Sequence, residues 1–169
     1  MPLCLSAYCV SSITFFTFSL CVSVKSTSNN RKWAEVYFQP VITYLLFNVG
    51  DIFGRQMAGW IVRPLRGPLL NILVLLRILF IPLFLLCNTD SEVIPNYFTH
   101  DAVYITLVLL FSISNGYTSA MCHMLAPKIV AAEDAEKARM IMASTHGLGI
   151  LIGCVFTFIT GGIPNLLVT

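Results

Sequence analysis

An acidic and a basic side chain, Asp51 and Arg55, stand four residues apart inside a long apolar run. The segment reads Phe47-Asn48-Val49-Gly50-Asp51-Ile52-Phe53-Gly54-Arg55. On a helix this spacing puts both groups on one side, one turn apart. Each ionised group inside a bilayer costs at least about 2.5–3.5 kcal/mol on insertion scales. A chain that keeps two of them must turn them to a polar interior. They serve either as an internal ion pair that orients the helix or as part of a functional site.

The surrounding composition makes the bilayer the relevant solvent. Of 169 residues, 57% are hydrophobic and 11% charged, with a mean hydropathy of +0.82. Soluble domains carry about 25% charged residues. Five segments are long and apolar enough to be read as membrane helices: about 3–24, 36–62, 69–87, 102–125 and 140–163. The expected fold class is an all-α membrane protein, a single membrane domain over 1–169. Pro64, Pro68, Pro95 and Pro127 fall between the segments, where helix breaks belong. Residues 1–24 contain no charged side chain. They lack the basic start and Ala-x-Ala site of a signal peptide and read as a membrane helix.

Charge in the loops sets an expected orientation. The second-to-third loop holds Arg63 and Arg66, and the fourth-to-fifth holds Lys128, Lys137 and Arg139. The third-to-fourth loop holds Asp90, Glu92 and Asp101 without Lys or Arg. Those basic loops are placed inside and the C-terminus outside, against the dissent of Lys25, Arg31 and Lys32 in the first loop. Ala131–Arg139 reads as a short charged helical entry, with Glu133 and Lys137 paired at i, i+4. Trp33, Tyr37, Trp60 and Tyr97 flank the spans as interface anchors.

Several function classes drop out. The net charge of +2 and the absence of a Lys/Arg cluster argue against nucleic acid. There is no HExxH, P-loop or Rossmann glycine pattern, so no enzyme, metal or cofactor is expected. The six cysteines form no CxxC and read as small packing residues. An ion channel built round Asp51 and Arg55 would need further charged rings, and the other spans offer few.

Asn48, Asp51 and Arg55 form a polar stripe on the second span, with Tyr44 one turn earlier. Asp supplies acceptors and Arg a planar fork of donors, a combination suited to a neutral hydrogen-bonding solute. Gly50 and Gly54 make a GxxxG on the neighbouring face, for close helix packing. Gly149 and Gly153 repeat the device in the last span. His146 beside them reads as an interface histidine or a group titrating near neutrality. Arg77, mid-span, needs an acid, a carbonyl or water; it either pairs across to Asp51 or is structural. Ser112, Ser114 and Asn115 either bond between helices or line a cavity.

The pattern Phe47-Asn48-x-x-Asp51-x-x-Gly54-Arg55 resembles the eighth transmembrane helix of equilibrative nucleoside transporters. The run from Leu73 through Arg77 and Pro82 to Asn88 is similar to that family's ninth helix. Ser114-Asn115-Gly116-Tyr117 with Ala126-Pro127-Lys128 resembles its tenth, and Ile141-Met142-Ala143 with Gly147, Gly149 and Gly153 its last. The resemblance implies a facilitative nucleoside transporter related to the major facilitator architecture and working by alternating access. It implies a substrate site at Asn48, Asp51 and Arg55, with Ile150 as an apolar wall. Nucleosides or nucleobases are the implied solutes, and the plasma or an endolysosomal membrane the implied location.

The family's eleven helices against five here imply the C-terminal half, helices seven to eleven. The first span resembles the seventh helix weakly and lacks its proline. The chain is then expected to be a fragment or truncated form whose partner is the missing N-terminal half or another transporter copy. The alternative reading is a non-transporting membrane protein that associates with a full-length transporter.

Overall fold

The computed structural model describes residues 2–22, 26, 32, 36–60, 67–87 and 100–161. These residues are almost entirely helical, with no strand among them. Helix α1 is Pro2–Val22. A π-helical segment, Gln39–Leu46, runs directly into α2, Phe47–Trp60. Helix α3 is Gly67–Leu76, α4 is Phe80–Leu85, α5 is Asp101–Leu125 and α6 is Ala135–Gly161.

The third apolar segment is broken in its middle. Arg77–Leu79 tightens into a 3₁₀ turn between α3 and α4. Pro82 explains the break: it cannot donate to the carbonyl four residues back, at Ile78, and its ring crowds that oxygen. The amide of Phe80 instead bonds to the oxygens of Arg77 and Ile78. The break falls at the one charged residue of the segment.

Helix α6 starts at Ala135, five residues before the apolar boundary at Met140, after a 3₁₀ turn at Ala132–Asp134. The sequence Ala-Glu-Lys-Ala-Arg is a strong helix former, so the helix extends into its polar entry. Lys137 pairs there with Asp134 at 3.0 Å, and not with Glu133 as its spacing suggests. The 3₁₀ turn before α6 offers the i, i+3 partner instead of the i, i+4 one.

The two most extensive helix contacts are α1 on α6 and α2 on α5. Glycines set both distances. A Cβ at Gly149 would lie 2.7 Å from the Ser11 Cβ, and one at Gly153 would lie 2.5 Å from the Phe15 Cβ. A Cβ at Gly50 would overlap Ser112, and one at Gly54 would overlap the carbonyl oxygen of Ile113. Gly116 repeats this from the α5 side, against the carbonyl oxygen of Asp51. Such contacts replace the hydrophobic drive that lipid cannot supply.

An aromatic cluster fills one region between α4, α5 and the π segment. Phe38, Phe84, Tyr104 and Phe111 are buried, and the Phe84 and Phe111 rings lie 5.7 Å apart, edge to face. Cys21, Cys87 and Cys122 are buried free thiols. Large apolar side chains such as Ile52, Leu75, Leu79, Leu148 and Leu151 face outward. Such a surface suits lipid and would be a liability in water. Among the described residues, the helical stretches Asp101–Lys128 and Ala132–Val155 are long and apolar enough to cross a membrane, and Cys4–Phe18 and Ile72–Phe84 are shorter apolar helices.

Tyr37 and Trp60 are exposed near the two ends of the second segment. At the α-helical rise the 23 residue steps between them would span at most roughly 35 Å, and the π-helical part shortens this towards the roughly 30 Å of a hydrocarbon core. Trp33, Tyr97 and the loops carrying Arg63, Arg66, Asp90 and Glu92 lie outside the described residues.

Candidate functional site

Asp51 and Arg55 form an ion pair along α2, Nε of Arg55 to Oδ2 of Asp51 at 2.7 Å. The two side chains differ in setting: Asp51 is 15% exposed and Arg55 47%. Nε alone engages the acid. The terminal guanidinium nitrogens carry no hydrogen bond among the described residues, so the outer part of the donor fork remains open. Asn48 is exposed one turn before, and its amide turns back to the carbonyl oxygen of Tyr44 at 2.7 Å. Ile150 lies half-buried on α6, between the two glycines that seat that helix on α1. With no polar group it has no part in the hydrogen bonding.

The second oxygen of Asp51 is held from another helix. Nδ2 of Asn115 on α5 donates to Oδ1 of Asp51 at 2.6 Å. Asn115 can reach because Gly116, next in sequence, lets α5 touch the α2 backbone at Asp51. The Asn115 oxygen in turn accepts from the Thr14 hydroxyl of α1 at 2.8 Å. Thr14 accepts from Nη2 of Arg77 at 2.7 Å, and Nη1 of Arg77 reaches Ser114 at 3.2 Å.

Arg77 is 1% exposed, a buried cation inside the bundle. It does not pair directly with Asp51, since Thr14 and Asn115 stand between them. Its guanidinium carbon sits 4.6 Å from the Phe111 ring centroid, a cation–π contact that offsets part of the lost hydration. Its Nε has no hydrogen-bond partner among the described residues. A small cavity of about 70 Å³ borders it, lined in part by Leu73, Phe80, Ser114 and Tyr117. That is far below the roughly 300 Å³ at which drug-sized pockets begin.

A second polar contact lies within the α1–α6 pair and touches α5. Ser11 of α1 bonds Nδ1 of His146 at 2.6 Å, and the His146 ring meets His123 of α5 edge to face at 5.3 Å. His146 is therefore an interface side chain with a partner. Three residues that join the helices, Thr14, Asn115 and Arg77, stand outside the site read from the sequence. The signal for Asn115 and Arg77 is a polar group in an apolar span. Thr14 sits in a span with several other hydroxyls and has no mark of its own.

Helices with apolar outer faces and an inner hydrogen-bond chain from buried Arg77 to Asp51 mark a helical membrane protein. The family model described as nucleoside transporter matches residues 2–161, and the chain belongs to the nucleoside transporter family. It is 37% identical over 162 residues to equilibrative nucleoside transporter 2 of Rattus norvegicus, covering 92% of this chain and 35% of that relative. It is 39% identical over 140 residues to equilibrative nucleoside transporter 1 of Homo sapiens, covering 82% and 31%. A match to equilibrative nucleoside transporter 3 of Rattus norvegicus is 34% identical, covering 86% and 31%. The chain thus spans about a third of the length of these relatives.

Proposed function

We propose that this chain forms one half of a facilitative nucleoside pathway that works by alternating access, in a major-facilitator-like architecture of which it supplies five membrane helices. Asn48, Asp51 and Arg55 face the solute, and Ile150 is an apolar wall. The observation that carries this reading is the Asp51–Arg55 pair. A largely buried acceptor, held once on each oxygen, lies beside a half-exposed donor fork whose outer nitrogens are open. That chemistry suits a neutral solute rich in hydroxyls and ring nitrogens. Membership of a transporter family and relatives named for nucleoside transport support it.

The same pair argues for a partner. Lipid solvates neither charge, so the open face of Arg55 needs protein or water against it. The complementary half of a transporter, or another copy, supplies that cover and completes a site between halves near the midplane. The membrane is the plasma or an endolysosomal one, with the C-terminus non-cytoplasmic.

The test compares uptake of labelled uridine, with nucleobase competition, by liposomes holding the chain alone and the chain co-expressed with the N-terminal half of a full-length relative. Saturable uptake only in the co-expressed sample is expected. No uptake by either, with both polypeptides inserted, overturns the reading. Depressed uptake by a co-expressed full-length transporter would mark an associating, non-transporting protein instead.

A further inference from the structure

We propose that Asn115 is a positioning residue for the solute site: with Thr14 and Arg77 it holds the Asp51 carboxylate in the orientation that leaves the Arg55 fork open. The inference rests on the reading that Asp51 and Arg55 meet the solute. Its geometry stands apart from that reading.

The two ends of the hydrogen-bond chain force everything between them. Arg77 has only donors to offer, and an ionised Asp51 only acceptors. Facing Asp51, Asn115 must present its amide nitrogen, which turns its oxygen towards Thr14. Thr14 must then donate its single hydroxyl proton to Asn115, although the carbonyl oxygen of Val10 competes at 2.6 Å. Its lone pairs are left for Arg77. Every bond runs the same way, from the cation on the α3–α4 break, through α1 and α5, to the anion on α2. The buried charge of Arg77 thereby acts on Asp51 through two neutral links, in a low-dielectric setting where such chains polarise one another.

The consequence falls on Asp51. With Asn115 on Oδ1 and Arg55 Nε on Oδ2, the carboxylate has one bond on each oxygen and a single satisfied rotamer. Without Asn115, Oδ1 is free to rotate and recruit the remaining Arg55 nitrogens, closing the fork on itself. Bidentate capture is a frequent choice of Arg–carboxylate pairs. Asn115 thus keeps the site from satisfying itself. Gly116 is part of the device, because a side chain there would lift α5 from Asp51.

The test uses the chain co-assembled with the N-terminal half of a full-length relative in lipid nanodiscs and two readouts, thermal melting without ligand and equilibrium binding of tritiated uridine. The variants are Asn115→Leu, Asn115→Asp, and the exchange Asp51→Asn with Asn115→Asp. Asn115→Leu should raise the uridine Kd at least tenfold with Asp51 and Arg55 intact. Asn115→Asp, the same shape but an acceptor facing an acceptor, should melt below Asn115→Leu. The exchange satisfies every link again: Arg55 donates to the oxygen of the amide now carried by α2, and the nitrogen of that amide donates to the acid now carried by α5. It should recover the melting temperature while uridine binding stays lost, because the acid has moved off α2. Merely filling space would make Asn115→Asp the mildest variant. An exchange no more stable than Asn115→Asp, or wild-type uridine affinity in Asn115→Leu, overturns the proposal. A wild-type assembly that binds no uridine while the melting order holds supports the Asn115–Asp51 link and rejects the solute reading alone.

Discussion

Asn115 and Asp51, 64 residues apart in sequence, meet at 2.6 Å between α5 and α2, on the carboxylate oxygen that Arg55 does not use. Two helices therefore hold one acid. Around that point the protein divides into glycine-seated helix pairs joined by a few polar bonds.

Gly116 and Gly59 separate packing from propensity. A Cβ at Gly116 would overlap the Asp51 carbonyl oxygen, a backbone atom that cannot swing aside, whereas nothing lies within 4 Å of one at Gly59. Gly116→Ala should destabilise the purified chain by about 1–3 kcal/mol, the usual cost of overpacking. Gly59→Ala should be neutral or stabilising by up to about 1 kcal/mol. Thermal melting in detergent checks both. Equal melting temperatures would contradict the close α2–α5 contact.

Ser11 and His146 form a direct side-chain hydrogen bond between α1 and α6. Interhelical bonds in membrane proteins average about 0.6 kcal/mol, with a ceiling near ~1.7 kcal/mol. A double-mutant cycle with Ser11→Ala and His146→Leu should return a favourable coupling in that range. Additivity within error would show that the pair contributes nothing to the α1–α6 seat.

Arg55→Ala removes the open donor fork. Uridine uptake by a complete transporter assembly should fall roughly ten- to a hundredfold, the equivalent of the ~1.5–3 kcal/mol of a charged hydrogen bond. Arg55→Lys should recover part of it, because a point charge does not reproduce a planar fork. Membrane insertion, measured by carbonate extraction, should be unchanged in both. Full uptake by Arg55→Ala would remove the residue from the site.

The polar entry to α6 reports orientation. Glu133 is exposed in its 3₁₀ turn. Glu133→Cys should react with an impermeant maleimide from the cytoplasmic side only, above the background of the native cysteines. Labelling from outside would reverse the proposed topology.

Much of the local structure is legible in the residues. Runs of apolar side chains specify helices in lipid because backbone groups there must bond within their own segment. Asp51 and Arg55 meet across one turn, as any i, i+4 pair on a helix can. The break at Arg77 is less legible, although Pro82 announces a lost hydrogen bond five residues on. The charged entry read over Ala131–Arg139 joins the last span as one helix from Ala135, because an apolar boundary at Met140 marks where lipid begins and not where the helix does.

By itself the sequence determined that this is a helical membrane chain, where its charges lie along each helix, and which glycines could admit a neighbour. Those are properties of period and composition. Only the tertiary structure decided that Asp51 is held by Asn115, that Arg77 reaches it through Thr14 and not directly, and that Ser11 takes His146 across 135 residues. Hydroxyls and amides recur along these spans, and each could serve several partners. Helix register, set to within a residue by glycines whose Cβ would collide, chose among them.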